Sequence, residues 1–142
     1  MAALVDTNVL VYRYDPRDAD KQRIATEWLR AGIQRGDLRV AHQAIVEFVA
    51  AVTRPLGKEP PLLDRAAALR EAEELLLEFP ILYPNDEVLR SALRGMAAYQ
   101  LSWFDAHMWA YADHFGLTEL ASEDFQSGRR YGAVLVVNPF TV

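Results

Sequence analysis

Residues 4–12 read Leu-Val-Asp-Thr-Asn-Val-Leu-Val-Tyr, an apolar run that stops at a carboxylate and resumes three residues later at Val9. "AALV" (2–5) has the length and composition of a short buried strand. Ser or Gly would end such a strand without difficulty, so Asp6 at its carboxyl end calls for a companion or a cation. If the run is a parallel strand, Asp6 stands where α/β sheets hold their ligands.

Strand-like and helical stretches alternate after that point. "NVLVYRY" (8–14) suits a short helix, and 18–36 carries Ile24, Trp28, Leu29 and Ile33 at helical spacing before Gly36. "LRVA" (38–41) reads as a second strand, and 42–55 as a mostly buried helix ended by Pro55. A turn-rich loop leads to an amphipathic helix over 62–79, with Asp64 as a possible cap. "PILY" (80–83) is a third strand, followed by a helix over 85–100 capped by Asn85 or Asp86. A further helix begins near Asp105 and stops at Gly116. "TELAS" (118–122) is a fourth strand and "AVLVVN" (133–138) a fifth or a late edge strand. This alternation predicts one α/β domain over 1–142 with a mainly parallel, roughly five-stranded sheet.

The chain has 142 residues, 51% of them hydrophobic, and a net charge of −5. These values disfavour disorder and binding of nucleic acid by bulk positive charge. The absence of cysteine excludes disulfides, thiol catalysis and Cys-based zinc sites. No signal-peptide pattern and no span of roughly 20 apolar residues is visible, so a soluble, cytoplasmic protein with no membrane partner is expected.

Three more acids share the logic of Asp6. Glu47 is the one charge in "AIVEFVAAV" (44–52), and Ala44, Ala50 and Ala51 lie one turn away, leaving room beside it. A surface Glu paired with Arg54 is the plainer reading. Asp105 lies among aromatic residues in "WFDAHMWA" (103–110), where a helix cap would also explain it. Asp124 follows the fourth strand in "ELASEDF" (119–125), where a turn would suffice. Together, Asp6 and Asp124 at strand ends, with Glu47 and Asp105 on flanking helices, form a set of carboxylates that needs cations between them. Oxygen ligands without sulfur select Mg2+ or Mn2+. Such ions assist phosphodiester hydrolysis.

Other polar residues fit this set less well. Asp113 lies eight residues beyond Asp105, about 12 Å along a helix. Glu71, Glu73, Glu74 and Glu78 read as a solvated helix face, and His42, His107 and His114 as packing or surface groups. Two basic clusters, Arg129–Arg130 with Tyr131 and Arg13, Arg17, Lys21 and Arg23, are equally well read as phosphate contacts or as solubilising charge.

"LVDTNVLVY" (4–12), the lone Glu47, "DAHMWA" (105–110) and "ASEDF" (121–125) followed by "YGAVLVVNPF" (131–140) together resemble the PIN domain. More narrowly, they resemble the VapC-type ribonuclease toxins of bacterial type II toxin–antitoxin systems. The resemblance spans essentially the whole chain. It implies a three-layer α/β/α fold and an endoribonuclease that uses Mg2+ or Mn2+ and leaves 5′-phosphate and 3′-hydroxyl ends. It maps an acidic quartet onto Asp6, Glu47, Asp105 and Asp124, with Asp6 and Asp105 as primary metal ligands. Supporting roles fall on Asn8, expected to hydrogen-bond Asp6, and on Ser122, expected to orient water or RNA. Many members have Thr where Ser122 stands, and Glu123 competes with Asp124 for the last acidic position. RNA as substrate, a cognate antitoxin and a homodimer are further implications. The helix around Trp28 and the loop at 54–63 are candidate contact surfaces. A non-catalytic PIN-like module binding RNA or protein is the main alternative. A phosphotransfer receiver domain is disfavoured because the two lysines, Lys21 and Lys58, are poorly placed for it.

Overall fold

The computed structural model describes residues 2–141. β1 (Ala3–Val5) is fully buried and lies between β2 (Leu38–Ala41) and β4 (Glu119–Ala121), parallel to both. Strands buried on both faces read as unbroken apolar runs, which is why "ALV" shows no alternation. β3 (Ile81–Leu82) adds parallel to β2, and β6 (Val134–Val137) parallel to β4. β5 (Arg130–Tyr131) closes the far edge antiparallel to β6, giving the order β3-β2-β1-β4-β6-β5.

The sheet therefore has six strands rather than the roughly five expected. Val134–Val137, read as a possible edge, lies inside it. The unforeseen strand is two residues long and precedes the Gly132–Ala133 turn that leads into β6, so it carries no periodicity of its own. Its partner across the turn alone makes it a strand.

Among the described residues, six helices flank the sheet: α1 (Thr7–Tyr12), α2 (Ala19–Arg35), α3 (His42–Thr53), α4 (Arg65–Glu78), α5 (Asp86–Tyr99) and α6 (Trp103–His114). α1 packs on α2 and α3, and α3 on α4; α5 packs on α6, which lies over β1, β4 and β6. Chain direction across the sheet reverses between the β1-β2-β3 run and β4. The helices pack as two groups, α1–α4 following the β1-β2-β3 run and α5–α6 in the crossover from β3 to β4. A crevice opens at that reversal, outside the carboxyl ends of β1 and β4.

Most helix boundaries follow side-chain caps. Asp18, Asp64 and Asn85 accept from the backbone N–H three residues on, at 2.8–3.0 Å. α6 starts two residues before Asp105. Ser102 is its cap, accepting from Asp105 N at 3.2 Å, so the Asp105 carboxylate is free for another role.

The α5–α6 contact depends on Gly95. A Cβ there would lie 2.5 Å from Trp109 Cζ3 and 2.6 Å from Cε3. Gly95→Ala should lower unfolding free energy by about 1–3 kcal/mol through overpacking, outweighing alanine's helix preference of about 1 kcal/mol. Urea denaturation checks this, and an unchanged midpoint would refute the close approach.

Candidate active site

Asp6 leaves β1 as the N-cap of α1: Thr7 N donates to Oδ1 at 2.8 Å. Ser122 Oγ, just past β4, donates to Oδ2 at 2.6 Å and accepts from Asp124 N at 3.0 Å. Both oxygens of Asp6 are thus held by the ends of adjacent parallel strands, and the side chain is 5% exposed. Burial pushes the Asp6 carboxyl up to about 7. The two hydrogen bonds oppose that rise, and the charges of Asp124 and Asp105 add to it. Asp105 is also raised, by burial first and then by Asp124 and Glu47, against the hydrogen bond from Ser102. Asp6 therefore lies in the field of Asp105 and Asp124, and Asp105 in that of Asp124 and Glu47, although the four acids come from separate parts of the chain.

Glu47 is positioned by two donors. Thr7 Oγ1 reaches its Oε1 at 2.6 Å, and Gln43 Nε2, one turn earlier on α3, reaches Oε2 at 3.2 Å. Gln43 Nε2 also donates to Phe104 O at 3.2 Å, joining α3 to the start of α6 beside Asp105. These donors, rather than Arg54, are the polar partners of Glu47. Thr7 and Gln43 were missed in the sequence. Thr7 is hidden by its neighbour Asp6, whereas Gln43 sits four residues before Glu47, the spacing that places two side chains on one helix face.

Asn8 differs from its expected role. Its Nδ2 points to Ser122 Oγ at 3.5 Å, a marginal contact, and not to Asp6. Its Oδ1 is buried with no hydrogen-bond partner. Ser122 is fully buried and serves Asp6 directly. Glu123 lines the same cleft as Asp124 and pairs with Lys21 Nζ at 2.7 Å.

A cleft of about 570 Å³ opens beside this set, lined by Glu47, Glu123 and Asp124 with Thr7, Ala50 and Ala51, whereas Asp6 and Asp105 do not line it. Arg17 and Arg54 stand in its wall. Asp15, itself 5% exposed, grips the Arg17 guanidinium through Nε at 2.9 Å and Nη2 at 2.7 Å. Of the other basic residues, Arg13 pairs with Glu78 at 3.0 Å, Arg129 lies over the Tyr131 ring at 4.4 Å, and Lys21 pairs with Glu123 at 2.7 Å. Glu78 and Glu71, which accepts from Tyr14 Oη at 3.0 Å, are therefore partnered rather than part of a solvated face.

The donor set suits a hard divalent cation. It consists of oxygens without sulfur, it includes a buried carboxylate and an unpartnered amide oxygen, and none of its four acids has an ion-pair partner among the described residues. Also among the described residues, no three His, Cys, Asp or Glu side chains stand close enough to hold one ion. Carboxylates with no cation between them repel, and Mg2+ completes its shell with water, so a closed cage of side chains is not required.

The fold and the acidic cleft at the strand reversal define an α/β domain built around a set of carboxylates. The model of the PIN domain family matches residues 3–131, and the chain belongs to that family. A toxin–antitoxin complex from Klebsiella pneumoniae superposes at a TM-score of 0.72 with 19% identity, covering 99% of this chain and 100% of that one. VapBC-1 from nontypeable Haemophilus influenzae gives 0.68 and 16%, covering 99% and 100%. VapC20 from Mycobacterium tuberculosis, described as a sarcin–ricin loop cleaving toxin, gives 0.68 and 15%, covering 87% and 90%. At these identities the likeness is one of fold. No curated protein matches the chain. No helix among the described residues is long and apolar enough to cross a membrane.

Proposed function

We propose that this chain is a Mg2+- or Mn2+-dependent endoribonuclease and the toxin of a cytoplasmic toxin–antitoxin pair. The observation that carries the reading is Asp6. A buried carboxylate, held at the sheet's reversal point and pushed up to about 7 by burial and by neighbouring acids, is a poor structural choice unless a cation relieves it. Membership of the PIN domain family and the toxin chains that share the fold support the same reading.

In this scheme Asp6 and Asp105 would hold the cation, with Glu47 and Asp124 completing the pocket. A divalent ion held there would supply charge neutralisation at the scissile phosphate and would acidify the attacking water. Thr7 and Gln43 fix the Glu47 carboxylate so that it can orient the attacking water and take its proton. Ser122 fixes the Asp6 rotamer. Arg17, already clamped by Asp15, presents its outer N–H groups to backbone phosphates. The products are 5′-phosphate and 3′-hydroxyl fragments. The partners are the RNA substrate, a cognate antitoxin covering the acidic cleft, and a second copy of the chain.

Purified protein should cleave RNA with Mg2+ or Mn2+, stop with excess chelator and resume when the cation is restored. Sequencing of the fragment ends checks the chemistry. RNA binding without cleavage under any divalent ion would instead favour a non-catalytic PIN module.

A further inference from the structure

Lys21 and Glu123 were each expected to act on their own, one as a phosphate contact and the other as a rival carboxylate. The structure joins them across 102 residues at 2.7 Å. Lys21 Nζ also lies 3.4 Å from Tyr12 Oη, 4.9 Å from the Tyr12 ring centre and 5.6 Å from that of Phe140. The two rings meet edge to face at 5.1 Å. The pair is shielded, with side chains 33% and 20% exposed. It connects the first turn of α2, the end of α1, the segment after β4 and the chain just beyond β6. Glu123 lies between Ser122, which is bonded to Asp6, and Asp124, whose backbone N–H bonds Ser122. The Ser122 bond fixes one side of this short segment and Lys21 fixes the other. Asp124 itself is exposed and has no ion-pair partner among the described residues.

We propose that the Lys21–Glu123 pair, seated on Tyr12 and Phe140, is a clamp that positions Asp124 in the acidic cleft, making Lys21 and Glu123 positioning residues rather than ligands or RNA contacts. The proposal rests on the metal-site reading for what Asp124 does, though not for the clamp itself. A clamp and a simple charge effect make opposite predictions for Lys21→Met. Lys21→Met makes the cleft more negative and Glu123→Gln makes it less so. If charge alone mattered, the first would tighten Mn2+ binding and the second weaken it. If the pair positions Asp124, both weaken it. The charge-swapped double variant, Lys21→Glu with Glu123→Lys, should then recover much of the loss.

The test has two readouts on the full chain. Mn2+ titration by calorimetry, without RNA, should show both single variants about three- to tenfold weaker than wild type, at or below the loss usual for residues that support metal ligands. Amide hydrogen exchange in metal-free protein should speed up over residues 122–128 in both single variants, return toward wild type in the swap, and leave the β1 and β2 amides unchanged. Tighter or equal Mn2+ binding by Lys21→Met, or unchanged exchange over 122–128, overturns the clamp. If wild type binds no Mn2+ while the exchange result holds, the metal-site reading fails, along with the functional role given to the clamp, but the mechanical link stands.

Discussion

Asp6→Asn is expected to lower RNA cleavage by more than about 100-fold, beyond the effect of losing a supporting residue, while making the metal-free protein more stable at alkaline pH. Asparagine keeps an acceptor for Thr7 N, so the α1 cap survives. What disappears is a buried negative charge. The folded-state carboxyl of Asp6 is raised from 3.8 to about 7. The native state therefore holds a proton that the unfolded chain has already released. The stabilisation is complete below pH 3.8 and is lost as pH rises toward 7. Across that window metal-free wild type should lose about 2–4 kcal/mol relative to the variant. Urea unfolding of both proteins at pH 5 and pH 8, with chelator present, checks this. Added Mg2+ should restore wild type at pH 8 and not the variant, because the cation favours ionised Asp6. Parallel pH profiles for the two proteins would contradict the account of Asp6, and equal cleavage by both would remove the nuclease reading.

Trp109→Ala is expected to give the largest loss of stability, about 3–5 kcal/mol as for other buried aromatic truncations, or a fall in melting temperature of about 10–20 °C for a chain of this size. The indole is 5% exposed, rests against Gly95 of α5, and meets Tyr99 edge to face at 5.4 Å. Its Nε1 donates to Tyr131 O at 2.8 Å. That bond ties α6, which carries Asp105, to the edge strand that follows the Asp124 segment. Trp109→Phe keeps most of the apolar contact and orphans one carbonyl, so it should cost about 1–3 kcal/mol. Calorimetric unfolding of the two variants separates packing from hydrogen bonding. Similar losses in both would place the effect in the bond.

Asp6 and Glu47 were the most legible residues because each breaks an apolar run, and a charge among buried neighbours needs a partner. Asp105 and Asp124 were legible only as members of a set, since each alone fits a cap or a turn. Ser102 proved to be the cap at the first of these positions. The PIN resemblance assigned Asn8 to Asp6, but three-dimensional proximity gives that place to Ser122, 116 residues away. The basic clusters divided along lines that composition does not show. Arg17 lines the cleft, Arg13 and Lys21 are occupied by Glu78 and Glu123, and Arg129 lies over Tyr131.

The amino-acid sequence by itself determined the alternation of strands and helices, the helix starts near Asp64 and Asn85, the acids at strand ends and the PIN resemblance. Apolar periodicity and capping chemistry act over a few residues and can be read locally. Only the tertiary structure decided the sixth strand, the pairing of Glu123 with Lys21 and the support of Glu47 by Thr7. A two-residue strand, an ion pair across 102 positions and a hydrogen bond across 40 arise when distant segments are packed together. Nothing in the residues adjacent to them along the chain specifies which partner they will meet.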